Sequence, residues 1–401
     1  MIAATPSKSY DHCLVIPARN EDWVSLIQCW KHIQQGLLVI LVINRSDEND
    51  LETLELLTAA TACPYRHKNN LCLSETSSKI DTLVVDRAST GLLFSPAEGV
   101  GLARKIGADI ALTLIGKGIV ADRFIHNTDA DAVLPANYFD QTFPDDVAAV
   151  VWPYRHTNRS KNQPPAQKEA QNLATLLYEI SMLYYVNRLA HAQSPYAFHT
   201  IGSTISVNAT NYVLVRGVPR RLAGEDFYLL NKLAKTGPVI TAMSQAIDLD
   251  ARISHRTPFG TGSSIDRIMK MDQPLDEYLF YQPVIFDQLK LLLTNLPLTW
   301  HESAPDRVFS PMPLILEWGN QSGLFDDIVK QKKQINTETV FAKFLHDWMD
   351  GFRTLKFVHY LRDHHFESKP LSWVCQQNID LGTPSVSGIA DLETIHQKLT
   401  P

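Results

Sequence analysis

The sequence is poor in cysteine and contains no paired-cysteine motif. Its 401 residues include five cysteines, an odd number, and none of them stands in the Cys-x-x-Cys spacing of a zinc or redox site. This composition argues against a disulfide framework and a cysteine-based zinc site. It predicts reduced thiols in a cytoplasmic protein.

An excess of basic residues and long apolar runs are also missing. The formal net charge of −6 argues against a nucleic-acid partner, which would require a basic face. The longest continuous apolar run, residues 37–43, is far too short to span a bilayer, and the first eight residues lack the pattern of a signal peptide. We expect no transmembrane segment, so a lipid-linked substrate would be met by peripheral membrane contact.

The first 150 residues alternate short apolar runs with helical patterns. Strands are predicted at 13–17, 37–43, 81–86, 123–127 and 147–153, and helices near 20–34, 50–60, 96–117, 167–191, 209–216 and 225–235. Continuous β-branched runs between helices predict an α/β fold with a mostly parallel sheet covered by helices on both faces. From about 265 to 366 the pattern is mainly helical. We therefore expect a domain over residues 1–264 and a mainly helical C-terminal region over 265–401.

Polar side chains follow several of the predicted strands. They are Arg19 and Asn20, which follow Pro17 at the end of the first strand, Asn44 after the second, Asp86 at the end of the third, and Asp129 and Asp131 after the fourth. Ligands of open parallel sheets bind at the carboxyl ends of the strands. The sequence thus predicts one crevice that collects these groups, with residues 154–170 as a mobile loop over it.

The pair Asp129 and Asp131 is the most informative of these features. Side chains alternate across a strand with a period of two, so the two carboxylates are expected to point the same way. Converging carboxylates suit Mg²⁺ or Mn²⁺, and such a site commonly holds a diphosphate. The alternative interpretation is a solvated acidic turn before Pro135.

A glycine-rich segment at 99–108 precedes this strand. It superficially matches a dinucleotide-binding fingerprint, but Arg104 occupies the place of the third small residue. A helix whose Arg104 and Lys105 reach the crevice to meet a phosphate or base fits better. The alternative is a solvated basic pair.

Two acids, Glu225 and Asp226, follow Gly224 at the start of a predicted helix. Acidic residues in a first turn complement the helix dipole, which explains them as capping residues. The same dipole is expected to keep a carboxylate ionised and able to accept a proton.

The segment 252–264 places Arg252, His255 and Arg256 before a glycine-rich turn. Such turns expose consecutive backbone N–H groups that bind anions. Neutral His255 would also suit a metal ion. The alternative is a tight turn with a serine cap.

Taken in order, these segments resemble glycosyltransferase family 2, which has the GT-A fold. The matching motifs are residues 15–21, 101–107, 128–131 and 224–226, and the resemblance covers about residues 11–260. It departs where the second strand ends in Asn44 and Asp47, since the family usually has a base-reading aspartate there. The nucleobase therefore stays open.

The resemblance implies a role for each matching residue. Pro17, Arg19, Asn20, Glu21 and Arg104 would line the nucleotide site, together with Asn44 and Asp86. Asp129 and Asp131 would hold Mn²⁺ or Mg²⁺ on the sugar diphosphate, and His255 would be a further metal ligand. Asp226, or less favourably Glu225, would deprotonate the acceptor. The turn from Arg252 to Gly262 is not part of the family pattern, but Arg252, Arg256 or Lys105 would by their charge add hydrogen bonds to the diphosphate.

The implied activity is a metal-dependent, inverting transfer of a hexose from a nucleoside-diphosphate sugar to the hydroxyl group of an unidentified acceptor. Three alternatives stand beside it. Residues 129–133 fit the nucleophile motif of haloacid dehalogenase-type phosphatases, although that motif normally lies on the first strand. A nucleotidyltransferase and a non-catalytic sugar-nucleotide binder are the other two.

Overall fold

A computed structural model describes residues 8–64, 66–160, 163–253, 260–377, 381 and 386–400. The chain forms two compact units, of which the first comprises Met1–Arg159 with Thr200–Gly260 and the second Ser160–His199 with Thr261–Pro401. The first unit is therefore built from two separate stretches of sequence. The expected division of function at residue 264 stays a prediction.

Thirteen strands lie in the described part of the chain, and β1 to β11 belong to the first unit. They are β1 (His12–Ala18), β2 (Leu37–Asn44), β3 (Arg66–Lys68), β4 (Leu71–Ser77), β5 (Ile80–Arg87), β6 (Phe124–Asn127), β7 (Ala149–Val151), β8 (Tyr154–Thr157), β9 (Ile205–Asn208), β10 (Val239–Thr241), β11 (Ile247–Asp250), β12 (Leu279–Phe280) and β13 (Lys369–Pro370). Nine of them form one sheet in the order β10-β7-β9-β6-β1-β2-β5-β4-β3. The central strands β6, β1, β2 and β5 are parallel, while β9 runs antiparallel between β6 and β7. The predicted mixed α/β fold with a large, mostly parallel sheet is confirmed.

The helices are α1 (Trp23–Ile27), α2 (Leu51–Ala60), α3 (Val100–Gly116), α4 (Pro165–His191), α5 (Ala209–Leu214), α6 (Glu225–Leu233), α7 (Thr261–Met269), α8 (Pro274–Glu277), α9 (Pro283–Asn295), α10 (Pro313–Ser322), α11 (Leu324–Lys332), α12 (Glu338–Trp348), α13 (Gly351–His364), α14 (Leu371–Gln377) and α15 (Ile389–Leu399). Helix α4 and the helices from α7 onward belong to the second unit. From Thr261 onward the described residues are mainly helical. No helix in the described part of the chain is both long enough and apolar enough to cross a bilayer.

The buried centre of the sheet explains the apolar runs of the sequence. Every residue of β2 is buried, as expected for a strand covered on both faces. Helix α3 packs closely on β1 because Gly107 has no side chain. A Cβ atom there would lie 2.4 Å from Cγ1 of Val15.

Two predictions about local structure were wrong. Where a helix is expected over 20–34, only the short helix α1 forms. Its N-cap residue Asp22 accepts a hydrogen bond from the backbone N–H of Ser25 at 2.8 Å. The chain then continues in turns that still bury Trp30 and Ile33. The loop expected over 154–170 contains β8, which pairs in parallel with β11, and the first turns of α4.

Candidate functional site

Asp129 and Asp131 lie in a turn just beyond the carboxyl end of β6. The strand ends at Asn127, and the backbone N–H of Ala132 donates to the carbonyl of Asp129 at 3.2 Å. The prediction that strand alternation aligns the two carboxylates was therefore wrong in its premise. Both side chains reach solvent, with 40 % of Asp129 and 22 % of Asp131 exposed, but each pairs with a different arginine.

Arg104 connects the first aspartate to the acidic start of α6. Its guanidinium donates from Nη2 to Oδ1 of Asp129 at 2.9 Å and lies 3.3 Å, through Nε, from Oε1 of Glu225. Nη1 donates to the carbonyl of Gly202 at 2.9 Å. Burial of Arg104, which is only 3 % exposed, opposes its charge, but the two carboxylates outweigh that effect and raise its pKa. Arg104 is thus a buried, fully charged link between residues distant in sequence.

Three glycines make this arrangement sterically feasible. A Cβ atom on Gly202 would lie 2.6 Å from Nη2 of Arg104, and one on Gly101 would lie 2.6 Å from the carbonyl oxygen of Arg221. The glycine spacing at 101–107 is explained by close packing of α3, since Gly101 and Gly107 both lie in α3 where a side chain would clash. The sequence analysis did not single out Gly202. An isolated glycine in an apolar segment was the signal available, since it marks a close approach.

Glu225 and Asp226 differ in environment although they are adjacent. They follow Gly224, whose φ of 75° is left-handed and suits glycine. Glu225 is buried and paired with Arg104, whereas Asp226 is half-buried. Burial and the Glu225 carboxylate raise the pKa of Asp226 to about 7, against the opposing effects of the Phe227 N–H and Arg104. Burial and Glu225 thus oppose the ionisation that the helix dipole is expected to favour in a carboxylate at this position.

Arg252 makes a second link, from Asp131 to the segment after β1. Its Nε lies 3.1 Å from Oδ2 of Asp131, and its Nη1 and Nη2 bind the two carboxylate oxygens of Glu21 at 2.9 and 2.5 Å. Burial opposes the charge of Arg252, but Glu21 and Asp131 raise its pKa. Arg159, which the sequence analysis missed, donates to the backbone carbonyls of Asp131 and Asp248, both at 2.8 Å. Arg252 thus brings Glu21 and Asp131 together on one guanidinium.

The other residues predicted after β1 are engaged locally. Pro17 is paired with Val42 in the sheet. Arg19 forms an ion pair with Asp50 at 2.9 Å, and the backbone N–H of Asn20, whose φ is 52°, donates to Oγ1 of Thr53 at 3.0 Å. These contacts fix the turn between β1 and α1 against the start of α2.

Asn44 and Asp86 lie near the carboxyl ends of the neighbouring strands β2 and β5. Asn44 is buried, and Asp86 uses its carboxylate to accept the backbone N–H groups of Ala88 and Ser89 at 2.8 and 2.9 Å. Asp86 therefore shapes a turn. Buried Arg45 ties the same ends together by donating to the carbonyl of Ala88 at 2.5 Å.

Lys105 is directed away from the Arg104 cluster. It pairs with Asp109 at 3.0 Å and lies 6.0 Å from the ring centroid of Tyr212. His255 and Arg256 lie outside the described residues, so their predicted roles stay predictions.

Asp129 and Asp131 offer the oxygen ligands that Mg²⁺ and Mn²⁺ prefer. Asp129, Glu225 and Asp226 also place three carboxylates around a single guanidinium, an excess of negative charge that favours a cation. The donor set thus fits a hard divalent ion. Within the described ranges, the one group of three potential metal ligands whose ligand atoms converge is a different one, formed by His12, Asp122 and His126.

No protein-family model and no curated protein matches the sequence. Among solved structures, the chain is similar to the mannosyltransferase PcManGT from Pyrobaculum calidifontis, determined in complex with GDP-Man and Mn²⁺, with 14% sequence identity and a TM-score of 0.36. The similarity covers 88% of this chain and 86% of that one.

Proposed function

We propose that the first unit is a glycosyltransferase of the GT-A type, related to family 2, that transfers a hexose from a nucleoside-diphosphate sugar to an acceptor hydroxyl. The observation that carries the proposal is the Arg104 link, which holds Asp129 of the acidic turn and Glu225 of the α6 start on one guanidinium. Nucleotide-sugar transfer needs a diphosphate anchor and a proton acceptor at one place, and this link brings Asp129 close to Asp226, the neighbour of Glu225.

Asp226 is the proposed base. Its side chain is half-buried and its pKa of about 7 lies where a general base is most effective, since it is partly ionised and still basic. Glu225 suits the role less well because its carboxylate is buried against Arg104. Glu225 is instead a positioning residue for Arg104.

Asp129 and Asp131 are the proposed holders of Mn²⁺ or Mg²⁺. When bound, such an ion neutralises charge on the departing diphosphate as a Lewis acid. Both carboxylates reach solvent, and arginine contacts fix their positions. Arg252, partly exposed and held by Glu21, is placed to donate to an anion beside Asp131.

In the proposed reaction the acceptor oxygen attacks C1 of the sugar while Asp226 takes its proton. The bond from C1 to the phosphate oxygen breaks, and the nucleoside diphosphate leaves with the electron pair. A single displacement of this kind inverts the anomeric centre.

The phosphatase alternative is less well supported. It requires Asp129 to act as a nucleophile, whereas its Oδ1 accepts a charge-assisted hydrogen bond from Arg104 that lowers its nucleophilicity. Its motif also follows β6 and not the first strand. A nucleotidyltransferase would release inorganic diphosphate, and a non-catalytic binder would release no product.

The test is an assay of the full chain with Mn²⁺ and a panel of nucleotide sugars, measuring release of nucleoside diphosphate. We expect release for one base and sugar, loss of turnover but retained donor binding in Asp226→Asn, and weakened metal-dependent donor binding in Asp129→Asn. Asp140→Asn, an exposed residue of the same unit, is the matched control. Release of inorganic diphosphate, or full turnover by Asp226→Asn, contradicts the proposal.

A further inference from the structure

A second polar cluster lies in the first unit, towards the amino-terminal ends of two parallel strands. His12 opens β1, Asp122 precedes β6 by two residues, and His126 is in β6, paired with Leu14 of β1. The three side chains line a pocket of about 500 Å³. The Asp129 turn follows the opposite, carboxyl end of β6.

The ligand-forming atoms of this cluster converge. Nδ1 of His12 lies 2.7 Å and Nε2 of His126 lies 2.8 Å from the same oxygen, Oδ2 of Asp122. Within the described part of the chain, they form the one group of three histidine, cysteine or acidic side chains whose ligand atoms all lie within 4.8 Å of one another. Two imidazoles and a carboxylate in this arrangement are a common set of ligands for a transition metal.

The cluster is held in place by its surroundings. The other oxygen of Asp122 accepts the backbone N–H of Phe124 at 2.9 Å. The ring of His12 stacks on Phe139 with a centroid distance of 4.4 Å. These contacts fix the carboxylate and one imidazole before any ion binds, which lowers the cost of binding.

The distal nitrogen of His126 has a partner of the kind that metal-bound histidines use. Nδ1 of His126 lies 2.7 Å from Oγ of Ser206, which also accepts from Nε1 of Trp152 at 2.8 Å. The hydroxyl oxygen has a second lone pair and can accept a hydrogen bond from the Nδ1–H group of His126. His126 would then carry its proton on Nδ1 and present the Nε2 lone pair towards Asp122.

We propose that His12, Asp122 and His126 bind a divalent transition metal ion of the Zn²⁺ type, with its remaining coordination positions facing the pocket. Each imidazole keeps one proton, on Nε2 of His12 and on Nδ1 of His126. The ion is therefore coordinated by two neutral imidazoles and one negatively charged carboxylate. Access is open, because the side chains of His12 and Asp122 are 18% and 16% exposed. Nitrogen ligands distinguish this site from the oxygen-only pair Asp129 and Asp131.

The experiment measures Zn²⁺ retained by the full chain after chelator treatment, Zn²⁺ loading and gel filtration, together with Co²⁺ titration followed by visible absorption. We expect a single tightly held equivalent of Zn²⁺ that excess Mg²⁺ does not displace. It should persist in a variant with both Asp129→Asn and Asp131→Asn, which separates this site from the one proposed for donor binding.

Variants of the cluster test the ligands. His12→Gln and Asp122→Asn change partly exposed side chains, so the fold is preserved, and we expect them to lose the retained Zn²⁺ and the Co²⁺ spectrum. Ser206→Ala removes only the outer partner and should weaken binding by about 10- to 100-fold. His67→Gln, an exposed histidine on β3, is the matched control. Failure of the parent chain to retain Zn²⁺, or equal retention by His12→Gln and His67→Gln, overturns the proposal.

Discussion

Gly202 and Arg104 fit together so closely that a single methyl group would separate them. A Cβ atom on Gly202 would stand 2.6 Å from Nη2 of Arg104, and the adjacent carbonyl of Gly202 accepts from Nη1 of the same guanidinium. Arg104 has little freedom to retreat, since it is buried and also holds Asp129 and Glu225. The bare Cα of Gly202 is therefore a requirement of the site.

Gly202→Ala is expected to lower both stability and donor binding, because the methyl group forces Arg104 from its partners at a cost of about 1–3 kcal/mol. Thermal unfolding and donor affinity measure the two effects. Gly116→Ala is the control in the last turn of α3, where a Cβ atom meets nothing within 4 Å. That change should be neutral or stabilise the helix by up to about 1 kcal/mol. Equal behaviour of the two variants would refute the steric argument.

Arg104→Met is expected to destabilise the first unit by about 3–5 kcal/mol, because it leaves the buried Glu225 carboxylate without its partner. The double variant with Glu225→Gln should recover part of this loss, since it removes the unpaired charge. Urea unfolding of the two variants and of Glu225→Gln alone gives the coupling between the residues. Additive effects would show that the two side chains are independent.

Catalytic turnover is expected to rise with pH through about 7, because Asp226 must be ionised to accept a proton and its pKa is raised to that value. Bound Mn²⁺ adds positive charge beside Asp226 and should move the midpoint to lower pH, since a nearby cation favours the carboxylate. The measurement is the pH profile of kcat at two Mn²⁺ concentrations. A midpoint near 4, the ordinary range of an aspartate, would remove Asp226 from the role of base.

Asp226→Asn should stabilise the protein at neutral pH. The folded-state pKa of about 7 lies above the ordinary value of 3.8, so the folded state binds the proton more tightly and stability falls as pH rises between these values. Above about 7 the carboxylate is charged in both states and the cost is complete. The gain from the amide should therefore be absent at pH 4 and reach on the order of 1 kcal/mol at pH 8, reduced by solvent screening. Thermal melts across this range check it.

Apolar continuity was enough to predict the centre of the sheet. β1, β2, β5 and β6 are buried runs and were found within one or two residues, whereas β4 and β9 were missed. In β4 only the adjacent residues Cys72 and Leu73 are buried, and β9 has only four residues, with Ser206 and Asn208 among them. The strand structure of β9 comes from pairing with β6 and β7, which are remote in sequence, and local patterns do not record such pairing.

The candidate site was predicted as a set of residues but not as a set of partners. Arg104 and Lys105 were expected to act together, yet neighbours on a helix are about 100° apart around its axis, so only one of them faces Asp129. The links from Arg104 to Glu225 and from Arg252 to Glu21 span large separations along the chain. Such contacts follow from the order of strands in the sheet, which the sequence pattern leaves undetermined.

The place of β9 between β6 and β7 determines when this sheet can be completed during synthesis. The acidic turn after β6 leaves the ribosome first, and about 80 further residues, roughly 4–16 s of elongation, precede the end of β9. Throughout that interval, the edge of β6 that later pairs with β9 is unpaired. Residues 160–199, which belong to the other unit, are synthesised in the same interval. Helix α6 with its acids follows later still. The two parts of the proposed catalytic centre are therefore synthesised at different times, and the unpaired edge of β6 is open to non-native strand pairing before the centre is complete.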